Sequence, residues 1–161
     1  MVGAVAIREA RATDRRWIGP FLADVHSTRV ARRGEIVSPS DHPMLVAEVG
    51  GIPVGLLTYV VAGDSCEILT LHATQRQGGV GTALLDRVKE VARAAGCRML
   101  WVLTTNDNVD ALRFYQRRGF RIRTILPGAV DAARQMLKPE IPRVGEHGIP
   151  LRDEIELEQA L

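Results

Sequence analysis

Between Gln75 and Leu85 the chain reads Gln-Arg-Gln-Gly-Gly-Val-Gly-Thr-Ala-Leu-Leu, three glycines opening onto an apolar helical run. Glycines let a main chain come close to a ligand, and the first turn of a helix offers free N–H groups and a partial positive charge. That combination suits a pyrophosphate, and Arg76 adds a full charge. A tight turn with close helix packing would use the same glycines. Two other phosphate loops fit badly: no Gly-Lys-Ser/Thr follows, and Leu84 stands where a dinucleotide fingerprint needs its third glycine.

The elements around this stretch must hold it in place. Cys66 to Leu71 reads as a strand running into the glycines. Val80, Ala83, Leu84, Val88, Val91, Ala92 and Ala95 form the apolar face of the helix that follows, Gly96 ends it at the C′ position, and Met99 to Leu103 is an unbroken apolar run suited to a central strand. Strand, glycine turn, helix and strand make a βαβ unit with a parallel pair.

Upstream, Val2 to Arg8 reads as an edge or near-edge strand, and Thr13 and Asp14 offer N-caps to a helix carrying Trp17, Ile18, Phe21, Leu22 and Val25 on one face. His26 to Pro43 is polar and partly basic, read as a mobile arch with room for a short second helix. Met44 to Val49, Gly50-Gly51 and Ile52 to Val61 signal a hairpin, and Gly63-Asp64 makes another turn. Downstream, Asn108 caps a short helix bearing Ala111, Leu112, Phe114 and Tyr115, Gly119 closes it, and Phe120 to Leu126 is a strand. Pro127 to Gly148 is an irregular insert with a helical piece at Ala129 to Leu137. Ile149 to Leu157 reads as a final strand.

With 161 residues, 46% of them apolar, the chain has the size of one domain, residues 1–161, closing a single core. Its 21 basic and 19 acidic residues leave a net charge of +2, which implies no pull toward nucleic acid or a membrane surface. Cys66 and Cys97 show no Cys-x-x-Cys pairing and read as buried or half-buried free thiols. No signal peptide is evident and no apolar run approaches the roughly 18 residues of a membrane span, so the cytoplasm is the expected setting. No spacing of histidines, cysteines and carboxylates suggests a metal site, and His26, His42 and His147 receive no role.

Two blocks carry a family resemblance. Arg76-Gln77-Gly78-Gly79-Val80-Gly81 resembles the Arg/Gln-x-x-Gly-x-Gly/Ala pyrophosphate loop of the GNAT superfamily of acyl-CoA-dependent N-acetyltransferases. Asn108-Val109-Asp110-Ala111-Leu112-Arg113-Phe114-Tyr115, followed by Gly119-Phe120, resembles its Asn-x-x-Ala-x-x-Phe-Tyr-x-x-x-Gly-Phe block. The matched core spans about Glu67 to Ile122. Two departures stand out: a short segment before the glycines, and the insert at Pro127 to Gly148, where members of the family usually bind their acceptor.

The resemblance implies an α/β (α+β) fold: a mixed, mostly antiparallel sheet with a central parallel strand pair and helices on both faces. It implies acetyl-CoA as co-substrate, bound where two parallel strands diverge. Arg76 and the main chain of Gln77, Gly78, Gly79, Val80, Gly81 and Thr82 would hold the pyrophosphate. Leu71 and Ala73 would pair with pantetheine through their backbones, and that strand could supply an N–H to the thioester oxygen. Asn108 is a helix cap and a candidate cofactor contact. Tyr115 is the expected general acid for the departing thiolate, and Glu67, then His72, the expected base for the amine. Strand alternation puts Glu67 and His72 on opposite faces unless a bulge intervenes, so one of them at most would serve.

Arg113, Arg117 and Arg118 could reach the 3′-phosphate or simply form a solvated helix end. Asp153, Glu154, Glu156 and Glu158 could face a cationic acceptor or make a charged edge strand. The expected reaction is direct acetyl transfer to a primary amine, a small molecule first and a protein or peptide amine second, with a homodimer left open. A CoA-sensing or partner-binding module and a nucleotide-binding domain are the readings that compete with it.

Overall fold

The computed structural model describes residues 3–74 and 78–161. Arg76 and Gln77, both expected at the pyrophosphate, lie outside the described residues, as does Val2, the expected start of the first strand. A seven-stranded sheet, mostly antiparallel with one parallel pair, is made of β1 (Val5–Glu9), β4 (Met44–Val49), β5 (Ile52–Ala62), β6 (Ser65–Ala73), β7 (Met99–Thr105), β9 (Glu154–Ala160) and β8 (Arg121–Leu126), in that order. The two remaining strands, β2 (Val30–Arg32) and β3 (Glu35–Val37), form a separate hairpin. The helices are α1 (Arg15–Asp24), α2 (Val80–Ala94), α3 (Val109–Arg117) and α4 (Ala129–Met136). None of the helices among the described residues is long and apolar enough to cross a membrane.

The chain divides into two compact units. The first takes in the chain up to Thr28, Ser38–Leu100 and Leu161. Its sheet runs β1-β4-β5-β6, and the Gly50-Gly51 turn joins β4 to β5 with both residues at positive φ, 58° and 77°, as a two-residue hairpin turn requires. Ile18 and Leu22 of α1 pack with Met44, Val46 and Leu56 on one sheet face. On the other face α2 comes so close to Gly55 that a Cβ there would lie 2.7 Å from Val80 Cγ1. The buried face of α2 is Val80, Leu84, Leu85, Val88 and Ala92; Leu85 joins the expected set, whereas Ala95, at the helix end, is exposed. Gly96 stands at C′ with φ 80°, as expected.

The second unit takes in Arg29–Val37 and Trp101–Ala160. Here two expectations are corrected. The arch is not simply irregular: Val30–Arg32 and Glu35–Val37 pair as a hairpin through Arg33 and Gly34, both at positive φ (48° and 76°), and its short helix is the single 3₁₀ turn Pro39–Asp41. The last strand is not an edge strand either, because β9 lies between β7 and β8 and β8 takes the outside place. Burial of β9 covers Glu154 and Glu156, both 3% exposed. Glu156 is compensated there: Arg33 donates to its Oε2 at 2.7 Å and Arg123 to its Oε1 at 3.0 Å.

Candidate active site

In the first unit, the glycine stretch does locally what its composition suggests. Gly78 and Gly79 sit at φ 109° and 75°, conformations that residues with a Cβ rarely adopt, and Gly79 is the N-cap of α2. Among the described residues a Cβ at either would meet nothing within 4 Å, so it is the backbone conformation that demands glycine. The Gly79 carbonyl accepts from Ala83 N at 2.9 Å, which starts α2 there and puts the N–H groups of Val80 and Gly81 in the first turn of the helix. The residues present therefore fit a pyrophosphate at the start of a 15-residue helix.

β6 leads to that bend. Its run from Cys66 to Thr70 is buried, whereas Leu71, His72 and Ala73 are only half-buried, so the strand emerges toward the glycines. Thr58 of β5 faces Thr70, but Tyr59 faces Ile68, which leaves Leu69 as an extra residue in β6. The bulge decides the relation between the two candidate bases. His72 is opposite Leu56 and Glu67 opposite Val60. Leu56 and Val60 are four apart on an unbulged part of β5 and share a face, so Glu67 and His72 share it too. The exception foreseen for a bulge is the arrangement found. Glu67 is 4% exposed and lies on the face that α1 covers.

His72 has defined neighbours. Phe21 of α1 meets its ring edge to face at a centroid distance of 6.0 Å, and Trp17 meets Phe21 in the same way. Ser27 Oγ lies 3.0 Å from His72 Nε2. Burial holds the imidazole pKa below its ordinary value, favouring the neutral ring that a base requires. Cys66, buried nearby in sequence, is no nucleophile: burial first, then the charges of Cys97 and Glu67, push its thiol up to about 12. Both cysteines are free and buried, as read from the sequence.

In the second unit, Asn108 caps α3 as expected, its Oδ1 accepting from Ala111 N at 3.1 Å. Tyr115 is the buried residue of α3, set between Phe114 and Phe120 with ring centroids 5.1 and 5.2 Å away. Burial raises its pKa, so the phenol keeps its proton at neutral pH. Arg118 stacks over Phe114 and donates to the Phe114 carbonyl at 2.9 Å, an end-of-helix contact of the kind that favours the dipole. Arg113 lies 3.5 Å from Asp110.

Two features of this unit had no signal in the sequence. Asp107, 5% exposed, accepts from Thr105 Oγ1 and from Glu146 N at 2.8 Å, tying the loop before α3 to the insert. Asp110, Glu146 and His147 bring one ligand atom each to within 4.8 Å of one another, His147 Nε2 being 3.1 Å from Asp110 Oδ2. Residues so far apart in the chain meet only because the insert folds back, which no local spacing discloses.

Residues 6–120 match the Acetyltransferase (GNAT) family, and the chain belongs to that family. The protein YdhI of Bacillus subtilis (strain 168) is 49% identical over 110 residues, 68% of this chain and 68% of its own. Among solved structures, an IAA acetyltransferase from Bacillus cereus is 25% identical at a TM-score of 0.74, covering 98% of this chain and all of the other. A Bacillus subtilis acetyltransferase solved in complex with CoA has the same TM-score at 20% identity, covering 98% and 99%.

Proposed function

We propose that this protein is an N-acetyltransferase that moves the acetyl group of acetyl-CoA to a primary amine, a small molecule in the first instance, by direct attack. The observation that carries the reading is the Gly78-Gly79 bend opening into α2, in a chain of the acetyltransferase family. Acetyl-CoA supplies an activated thioester. First-turn N–H groups of α2, with Arg76 and Gln77, hold the pyrophosphate, and the backbones of Leu71 and Ala73 align the pantetheine arm. The amine must be neutral to attack, and Glu67 and His72, on one face of β6, are the groups that take its proton directly or through water. The new C–N bond forms as the C–S bond breaks, and the Tyr115 phenol protonates the thiolate that leaves.

The test is thiol release from acetyl-CoA across a panel of small amines and N-terminal peptides. Release that depends on one amine class and falls in Tyr115→Phe supports the reading. Tight CoA binding with no release on any amine or peptide sinks it in favour of a sensing module, and release with peptides alone moves the acceptor to a protein amine.

A further inference from the structure

α1 ends in a way that aims one side chain. His26 N donates to Ala23 O at 3.1 Å and Ser27 N to Leu22 O at 2.8 Å, the paired bonds of a Schellman ending, with His26 at C′ and φ 56°. Ser27 is thus fixed at C″ by its own main chain. Its Oγ has two neighbours, the Val25 carbonyl at 3.3 Å and His72 Nε2 at 3.0 Å.

A serine hydroxyl has one proton to give. Val25 O and an unprotonated Nε2 would compete for it, and one contact would fail. Both bonds form only when the hydroxyl donates to Val25 O and accepts from a protonated Nε2. In that arrangement the neutral imidazole carries its hydrogen on Nε2, and its lone pair is on Nδ1. Nδ1 has no hydrogen-bond partner among the described residues.

We infer that Ser27 is a positioning residue that fixes the His72 imidazole in its Nε2–H tautomer and orientation, so that Nδ1 is the atom that takes the proton of the attacking amine. The inference rests on the transferase reading and deepens it. The groups facing His72 support it: Phe21 from α1, Ser27 from the segment after it, and Leu56 from β5 carry no charge that would protonate the ring. On reaction, the amine proton goes to Nδ1, and the imidazolium so formed stays bonded through Nε2–H to Ser27 Oγ.

The test uses protein carrying 15N-labelled histidine, whose four imidazoles report their tautomers by chemical shift and coupling pattern; loss of one signal set in His72→Gln assigns His72. Wild type should show the Nε2–H pattern at neutral pH. Ser27→Ala should give a pattern averaged over both tautomers and a kcat lower by about tenfold, with the KM for acetyl-CoA unchanged. Ser27→Thr, which keeps the hydroxyl, should restore both. An Nδ1–H pattern in wild type, or a spectrum unchanged in Ser27→Ala, overturns the positioning role whatever the turnover. An altered spectrum with full kcat overturns the assignment of Nδ1 as proton acceptor. If wild type releases no thiol with any amine, the transferase reading fails and takes the proton-acceptor role with it, while the tautomer result is still read from the spectrum.

Discussion

Gly55 of β5 and Val80, the first residue of α2, are in contact so close that a Cβ on Gly55 would lie 2.7 Å from Val80 Cγ1 and 3.1 Å from Leu84 Cδ1. The sheet thus sets the position of the helix end that is to hold the pyrophosphate. Gly55→Ala forces Val80 outward and displaces the first turn of α2. Overpacking of this kind costs about 1–3 kcal/mol. We expect urea unfolding to show a loss in that range, and calorimetry to show weaker CoA binding, because the N–H groups move with Val80. Unchanged stability and affinity would mean that α2 is placed by something other than this contact.

Tyr115 is held in its protonated form by burial between Phe114 and Phe120. Tyr115→Phe keeps the ring packing and removes only the hydroxyl. A proton donor of this kind is worth about 100-fold or more, so kcat should fall by that factor while the Kd for CoA stays the same. Because the phenol pKa lies above its ordinary value, ionisation of Tyr115 should cause no loss of wild-type kcat between pH 7 and about 10. A thiol-release assay over that range checks both points, and a falling alkaline limb near neutrality would argue against the assignment.

Local signals account for much of what the sequence disclosed. Gly78-Gly79, Gly50-Gly51 and Asn108 act through their own φ angles or their own side chain, and each does what its type suggests. The failures are of another kind. Arg33 takes a positive φ in a hairpin turn without the Asn-Gly or Asp-Gly that marks such turns, so β2 and β3 were hidden. The acids of β9 suit a charged edge strand or a face for a cationic acceptor, whereas Glu156 is buried with bonds to Arg33 and Arg123, residues remote in sequence. The Leu69 bulge, which brings Glu67 and His72 to one face, comes from pairing with β5 and leaves no mark in the residues of β6 itself.

At the start of α1, Asp14 is buried and accepts from the two terminal guanidinium nitrogens of Arg8 at 2.7 and 2.8 Å, from Arg11 N and from Trp17 Nε1. Arg8, chiefly, holds its carboxyl well below the usual carboxylate range. The unfolded chain has an ordinary aspartate with a pKa of about 3.9, so between the two values the unfolded state binds more protons. The stabilisation is therefore complete above about pH 5 and declines as the pH falls toward the depressed folded value. Asp14→Asn should cost about 2–3 kcal/mol at pH 7 by removing one of the two carboxylates that pair with Arg8, and should flatten the acid limb of stability followed by circular dichroism. A variant with the same acid limb as wild type would shift the cause to other carboxylates.

The insert is held by a contact that glycine alone permits. A Cβ on Gly145 would lie 2.0 Å from Asp107 Oδ2, the atom that accepts from Glu146 N, and that atom belongs to the buried side chain immediately before the Asn108 cap. Asp107 has little freedom to yield, because its other oxygen accepts from Thr105 Oγ1. Gly145→Ala must therefore break the Glu146 bond and push the segment off the loop. Loss of a charge-assisted hydrogen bond at a buried carboxylate costs about 1.5–3 kcal/mol. Hydrogen exchange should show faster exchange at Glu146 and along residues 144–150, while β4, β5 and α2 keep their protection. If acceptor binding uses the insert, KM for the amine should rise in this variant with KM for acetyl-CoA unchanged; equal changes in both would place the acceptor elsewhere.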